Sequence, residues 1–337
     1  MNQKMQDDVQ GEPEPEGDWS WKVMHPRRRR MSRKERRLRL RRRGRRAYIR
    51  SVYFLPSLCT LGNAVCGFGS MYVAFLAMLA ALGTRTFDRD PVTTWWASHG
   101  FSPAAYLIFF AMLFDALDGR LARFARHTTD FGGQLDSLAD VVSFGVAPAL
   151  LSLLVFHEEG PAALPWMLSR LIWAIGALYL SCALLRLARF NVSNEHGEQY
   201  HFSFLGLPSP GAAAALAALV LMQQDLLRQA LDCQAAGWVR LEWFFVGLSN
   251  TCVWLLPMMV LLTGLLMISP IRYPHLVNRY LRGKKSFGRL VAALVLLLLM
   301  VVAHQYTLGI GAIAYSLWGL VSYLWFRIRR RNRATPA

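Results

Sequence analysis

Four aspartates at fixed spacing dominate the middle of this chain: Asp115-x-x-Asp118-Gly119-x-x-Ala122-Arg123, then eight residues, then Gly132-x-x-x-Asp136-x-x-x-Asp140. They are flanked by apolar runs, Ala104 to Phe114 before and Val141 to Phe156 after, that suit a bilayer. An acidic side chain there costs several kcal/mol unless something compensates it. Four of them together imply cations.

Helical periodicity places Asp115, Asp118, Gly119, Ala122 and Arg123 on one stripe, and Gly132, Asp136 and Asp140 on a second. The connection through His127 to Asp130 is short, so the two helices are expected as antiparallel neighbours with the stripes facing each other. A donor set of carboxylates without His or Cys suits a hard cation, Mg²⁺ or Mn²⁺, as one or two ions bound with substrate phosphates. Such an ion neutralises a diphosphate and polarises its phosphorus. Gly119, Ala122 and Gly132 leave room for a phosphate-bearing ligand, and Arg123 is placed to hold a phosphate. Two other readings use the same acids: an ion-pair cluster with Arg120, Arg123 and Arg126 that fixes helix packing, and a cation or proton translocation site. Against translocation, the acids lie near one mouth, with no acidic series continuing through the opposite leaflet.

The elements that position these residues are read from hydropathy. With 337 residues and 54% apolar composition, the chain is expected to be an all-α, polytopic helical membrane protein. About eight transmembrane helices are predicted: Val52 to Leu82, Ala104 to Ala125, Phe131 to Phe156, Leu168 to Leu187, Leu205 to Leu226, Trp243 to Ile268, Leu290 to His304 and Thr307 to Phe326. With both termini cytoplasmic, 33 of the 38 Lys and Arg fall on the inner side, which predicts N-in/C-in topology and opens the aspartates to the cytoplasm. No cleavable signal peptide is read, because the first apolar run starts near Val52.

The formal charge of +17 is concentrated beside spans, which argues for anionic lipid and against nucleic acid as partner. Residues 1–25 read as a disordered acidic tail and 26–51 as an Arg-rich juxtamembrane segment. Residues 52–274 are expected to form the catalytic domain, 275–326 a C-terminal loop and transmembrane hairpin, and 327–337 a basic cytoplasmic tail. Trp95, Trp96, Trp166, Trp238, Trp243 and Tyr306 fall near predicted outer ends and read as an interfacial belt. The five cysteines lack metal spacing and read as small buried hydrophobes. The last two spans carry almost no ionisable groups and suit packing or dimer contacts.

The pattern D-x-x-D-G-x-x-A-R, eight residues, G-x-x-x-D-x-x-x-D resembles the signature of the CDP-alcohol phosphotransferase family at every position from Asp115 to Asp140. That resemblance implies an enzyme in which an alcohol attacks the phosphatidyl phosphorus of a CDP-linked lipid and CMP leaves. It also implies a divalent-metal centre on Asp115, Asp118, Asp136 and Asp140, and commonly a homodimer.

Four further stretches resemble the branch of that family that uses serine as acceptor. They are Leu55 to Phe68, Leu185 to Val192, Gly206-Leu-Pro208-Ser-Pro210, and Met267 to Pro274. The implied substrates are CDP-diacylglycerol and L-serine; sister enzymes of the family take glycerol 3-phosphate or an inositol phosphate instead. On this reading Asp140 takes the serine hydroxyl proton as general base. Gly119, Ala122, Arg123 and Gly132 shape the nucleotide-phosphate pocket. Asn63 either reads cytosine or makes a helix–helix hydrogen bond. Serine brings a carboxylate, for which Arg189 with Asn191, and Arg272, are the candidates; the same arginines also satisfy the topology rule. The implied location is the cell (inner) membrane.

Overall fold

The computed structural model describes residues 33–83, 91–125, 130–161, 164–195, 204–273 and 287–333. The acidic tail and, within the loops after the fourth and sixth expected spans, residues 196–203 and 274–286 lie outside the described residues. The chain divides into two compact units between Ile49 and Arg50, and the helices around the aspartates belong to the second.

A hydrocarbon layer about 30 Å thick takes about 20 helical residues to cross. The helices are α1 (Arg33–Ala81), α2 (Pro91–Ser98), α3 (Ser102–Ala125), α4 (Asp130–Asp140), α5 (Ala147–Glu159), α6 (Trp166–Glu195), α7 (Ser209–Ala235), α8 (Val239–Ile268), α9 (Phe287–Val302) and α10 (His304–Arg333). Among the described residues, five stretches are long and apolar enough to cross a membrane: Pro56–Ala81, Phe131–Glu159, Trp166–Val192, Ser209–Ala235 and Val239–Ile268. Helix α3 has the length, at 24 residues, but its C-terminal half carries Asp115, Asp118, Arg120 and Arg123. Helix α9 has the apolarity but only 16 residues, a rise of about 24 Å.

Helix α7 is the hub. Its run of alanines and leucines from Ala212 to Leu221 is buried except at Ala214, as expected of a helix apolar nearly all round, and it packs against α3, α8 and α10. The small side chains let the neighbouring backbones approach closely. Outward-facing Phe68, Trp173, Phe244 and Met258 are exposed, the arrangement of a bundle whose solvent is lipid.

Between α4 and α5 the chain passes through a π-helical segment, Val141–Val146, in which the Ala147 N–H donates to the Val142 carbonyl five residues back. Pro148 follows and has no N–H to offer the Phe144 carbonyl. That carbonyl accepts the Tyr179 hydroxyl instead, at 3.0 Å. Gly67 of α1 sits against this segment so closely that a Cβ would lie 2.7 Å from Ser143 Cα. The Ser143 hydroxyl donates to the Asn63 carbonyl at 2.8 Å. The widened turn is therefore held from two sides.

The start of α7 and the end of α8 are tied together by a short antiparallel pairing of Phe204–Leu205 with Arg272–Tyr273. Gly206 follows at φ +84°, with the Met267 carbonyl where a Cβ would stand, so only glycine fits. Its N–H donates to the Ile271 carbonyl at 2.8 Å. The buried Tyr273 hydroxyl donates to the Ser316 carbonyl of α10 at 3.0 Å.

Candidate functional site

Helices α3 and α4 bring Asp115, Asp118 and Asp136 together: each offers a carboxylate oxygen, and the three oxygens lie within 4.8 Å of one another. Asp118 is buried, while Asp115, Asp136 and Asp140 are half-buried. Asp118 Oδ2 and Asp136 Oδ1 are buried with no hydrogen-bond partner among the described residues. Buried carboxylate oxygens left this way are strongly unfavourable unless a cation meets them. An all-oxygen donor set with two unpartnered atoms fits a hard divalent ion. The three residues fit the group that the sequence implies.

Asp140 stands one turn beyond Asp136. Its Oδ1 accepts a hydrogen bond from Asn63 Nδ2 of α1 at 3.1 Å, and Asn63 is fully buried. Of the two readings of Asn63, the structure contains the helix–helix hydrogen bond. Because the Asn63 carbonyl is itself held by Ser143, the π-helical segment and α1 jointly orient the Asp140 carboxylate. Thr60, one turn before Asn63, is also buried and its hydroxyl donates to the Pro56 carbonyl at 3.1 Å.

Among the described residues, a Cβ built on Gly119 or on Gly133 meets no atom within 4 Å, which leaves this flank of the carboxylates open to a phosphate-sized group. Gly132 is half-buried beside Gly133 on α4. Ala122 and Arg123 continue α3 by one turn, but their side chains lie outside the described residues. The same holds for the Arg272 side chain, whose backbone is in the short strand pair.

Of the other acceptor candidates, Asn191 accepts the Ser137 hydroxyl at 3.0 Å, which joins the end of α6 to α4 next to Asp136. Arg189 is exposed on α6. A residue not singled out from sequence for the site is Arg186, one turn earlier. It is half-buried, and Nη1 donates to Ser209 Oγ at 2.5 Å. Its charge lies within electrostatic reach of both Asp140 and Asp115, and its Nε is buried with no hydrogen-bond partner among the described residues. The signal was present in the sequence: a charge beside apolar spans marks a functional residue whichever its sign, and Arg186 follows the apolar run of α6 as the four acids follow theirs. Its guanidinium offers a planar fork for a carboxylate or phosphate.

Comparison with known proteins gives the same direction. The family model described as CDP-alcohol phosphatidyltransferase matches residues 53–248. A protein of Helicobacter pylori named CDP-diacylglycerol–serine O-phosphatidyltransferase is 29% identical over 281 residues, covering 83% of this chain and 95% of that protein. One of the same name from Methanocaldococcus jannaschii is 32% identical over 218 residues, covering 65% of this chain and 83% of its own length. An archaetidylserine synthase of Methanothermobacter thermautotrophicus is 33% identical over 175 residues, 51% of this chain and 60% of that protein.

Proposed function

Since this chain belongs to the CDP-alcohol phosphatidyltransferase family, we propose that it transfers the phosphatidyl group of CDP-diacylglycerol to the hydroxyl of L-serine, giving phosphatidylserine and CMP. The observation that carries this reading is the set of three converging carboxylates, two of them with unpartnered buried oxygens, beside an open flank and a half-buried arginine. Relatives named for serine transfer, one of them matched over 95% of its length, support the acceptor.

Asp115, Asp118, Asp136 and, from the adjoining turn, Asp140 would hold Mg²⁺ or Mn²⁺. Such an ion, when bound, neutralises the diphosphate and makes its phosphorus more electrophilic. The chain's own groups do the rest. The open flank at Gly119, with Ala122, Arg123 and Gly132, receives the nucleotide phosphates while the acyl chains stay in lipid. Asn63 fixes the Asp140 carboxylate, which takes the proton from the serine hydroxyl as that oxygen bonds to the lipid-side phosphorus. The bond from phosphorus to the CMP oxygen breaks, and CMP leaves with the electron pair. Arg186 pairs with the serine carboxylate through its unpartnered Nε, with Arg189, Asn191 and Arg272 completing the acceptor side. Rate then comes from positioning and charge neutralisation, not from a covalent enzyme intermediate.

The enzyme is placed in the cell (inner) membrane with eight spans, residues 52–274 as catalytic domain and both termini cytoplasmic. The charge asymmetry supports this orientation. Helix α9, exposed and apolar from Leu294 to Val302, suits lipid contact or the face of a homodimer.

An acceptor-competition assay tests the reading. Purified protein with CDP-diacylglycerol and Mn²⁺ or Mg²⁺ is expected to release CMP with serine and little with glycerol 3-phosphate or inositol phosphate, and to stop with EDTA. Preference for another alcohol would reassign it to a sister activity. Ion flux in vesicles without CMP release would instead make the aspartates a transport site.

A further inference from the structure

At the opposite end of the bundle from the aspartates lies a cavity. Ser102 opens α3 thirteen residues before Asp115, about 20 Å along the helix. On helix α7, Asp225 lies sixteen residues beyond Ser209, which is beside Arg186, about 24 Å along the axis. Near Ser102 and Asp225 the structure contains a cavity of about 300 Å³ walled by α2, α3, α7 and α10. Its polar lining includes Asp225, Arg228, Trp95 and Gln305, and its apolar lining includes Leu107 and Phe110.

The wall is held in place by hydrogen bonds. Gln224 accepts the Phe101 N–H at 3.2 Å and donates to Gln223 at 2.8 Å. The turn into α3 that permits this passes through Gly100 at φ +61°. Gln229 donates to Asp225 Oδ2 at 2.7 Å and to the Tyr306 hydroxyl at 3.0 Å. The Tyr106 hydroxyl meets His304 Nε2 at 2.5 Å. A cavity with so much of its lining braced is preorganised, which lowers the ordering cost of binding.

We propose that this cavity binds the headgroup of a zwitterionic phospholipid, one carrying a phosphate and an ammonium. Arg228 would take the phosphate and Asp225 the ammonium, and the two lie one helical turn apart, which matches the separation of opposite charges in such a headgroup. The Trp95 indole, 53% exposed and with the His99 ring packed against it at 4.3 Å, lines the same cavity, where its remaining π face would meet the ammonium. The volume suits a headgroup and its glycerol but not a whole lipid. Phe110, exposed on the side of α3, marks where the acyl chains leave for the bilayer. Tryptophans at a membrane boundary already favour the headgroup layer. An anionic lipid would satisfy Arg228 but would set its charge against Asp225.

The test is native mass spectrometry of the full-length protein released from nanodiscs holding phosphatidylethanolamine and phosphatidylglycerol with the same acyl chains. One retained lipid per chain is expected, with phosphatidylethanolamine favoured about tenfold, the size of one charge-assisted contact. Arg228→Gln and Trp95→Ala should each reduce its retention several-fold while the melting temperature in detergent stays near wild type. Neither touches the Gln229 bridge, and Asp225→Asn, which does, serves as a third variant. Equal retention of both lipids, or unchanged retention in Arg228→Gln, overturns the proposal. Displacement by millimolar glycerophosphoethanolamine without acyl chains would overturn the lipid source in favour of a soluble phosphate–ammonium ligand. Loss of CMP release from wild-type protein would count against the serine-transfer reading and leave lipid retention untouched.

Discussion

Replacing Gly67 by alanine tests whether the π-helical segment positions the proposed base. A Cβ at residue 67 would stand 2.7 Å from Ser143 Cα and 2.9 Å from its Cβ, where ordinary contacts begin at 3.4 Å. The obstruction is the Ser143 hydroxyl, Cβ and backbone Cα together, and for the Cα alone α1 and the segment must separate by about 0.7 Å. Overpacking of this kind destabilises by about 1–3 kcal/mol. The same displacement strains the Ser143–Asn63 bond of 2.8 Å, worth about 1 kcal/mol, and through Asn63 it moves the Asp140 carboxylate. Misplacement of reacting groups by about 1 Å lowers rate by up to about a hundredfold. The expectation for Gly67→Ala is therefore a fall in kcat of roughly tenfold to a hundredfold, with a melting temperature lower by several degrees. The assay is CMP release at saturating serine, beside thermal unfolding in detergent. Gly69→Ala is the matched control: it sits two residues on, and its Cβ would meet only Leu107 Cδ1 at an ordinary 3.5 Å, so kcat should hold within about twofold. Wild-type turnover in Gly67→Ala, or equal losses in the two variants, would refute the claim that this contact sets Asp140.

Asp140→Asn keeps the shape and can still pair with Asn63, so folding should persist while CMP release falls by about 10²–10⁴, the usual contribution of a general base; near-wild-type turnover would remove Asp140 from that role. Arg186→Gln should raise KM for serine far more than KM for CDP-diacylglycerol, by about ten- to a hundredfold for a lost charge-assisted pair. The reverse split, measured by varying each substrate in turn, would place Arg186 on the lipid phosphate. Adding Mg²⁺ or Mn²⁺ to metal-free protein should raise the melting temperature of wild type and not of Asp118→Asn, independently of turnover, because Asp118 holds one of the unpartnered oxygens.

The convergence of α3 and α4 was legible because helical spacing is rigid: residues three and four apart must share a face, and a short connection leaves two such faces little choice of partner. Asp115, Asp118 and Asp136 could therefore be brought together on paper. What escaped depends on longer-range geometry. Val141 to Val146 reads as plain apolar helix, and its widened turn rests on Pro148, Tyr179 and the missing side chain of Gly67, contacts between residues far apart in sequence. Helix α2 was hidden because eight residues ending in Trp95-Trp96-Ala-Ser offer too short a window for a period to emerge. Interfacial placement explained Trp96 and Tyr306 from sequence, yet both pack inward against the core. Arg186 was absorbed into the topology count, although burial and an unpartnered Nε distinguish it from the other inner-face arginines whose side chains are described.

The widened turn also acts as a phase shifter. Each helical residue advances the side-chain direction by about 100°, so one residue accommodated between Asp140 and Ala147 rotates the acid-bearing α4 relative to α5 while their axes stay continuous. Upstream of it, Asp136 and Asp140 face α3 and α1; downstream, Ala147, Leu151 and Val155 are buried against the bundle. In a strictly α-helical rod Asp140 and Ala147, seven residues apart, would lie within about 20° of each other; the widened turn offsets the acid-bearing stripe from the buried one. Among relatives, insertions or deletions in this six-residue window would change which way the carboxylates point without altering any residue of the site, so sequence alignments here should be judged by helical phase as well as by residue identity.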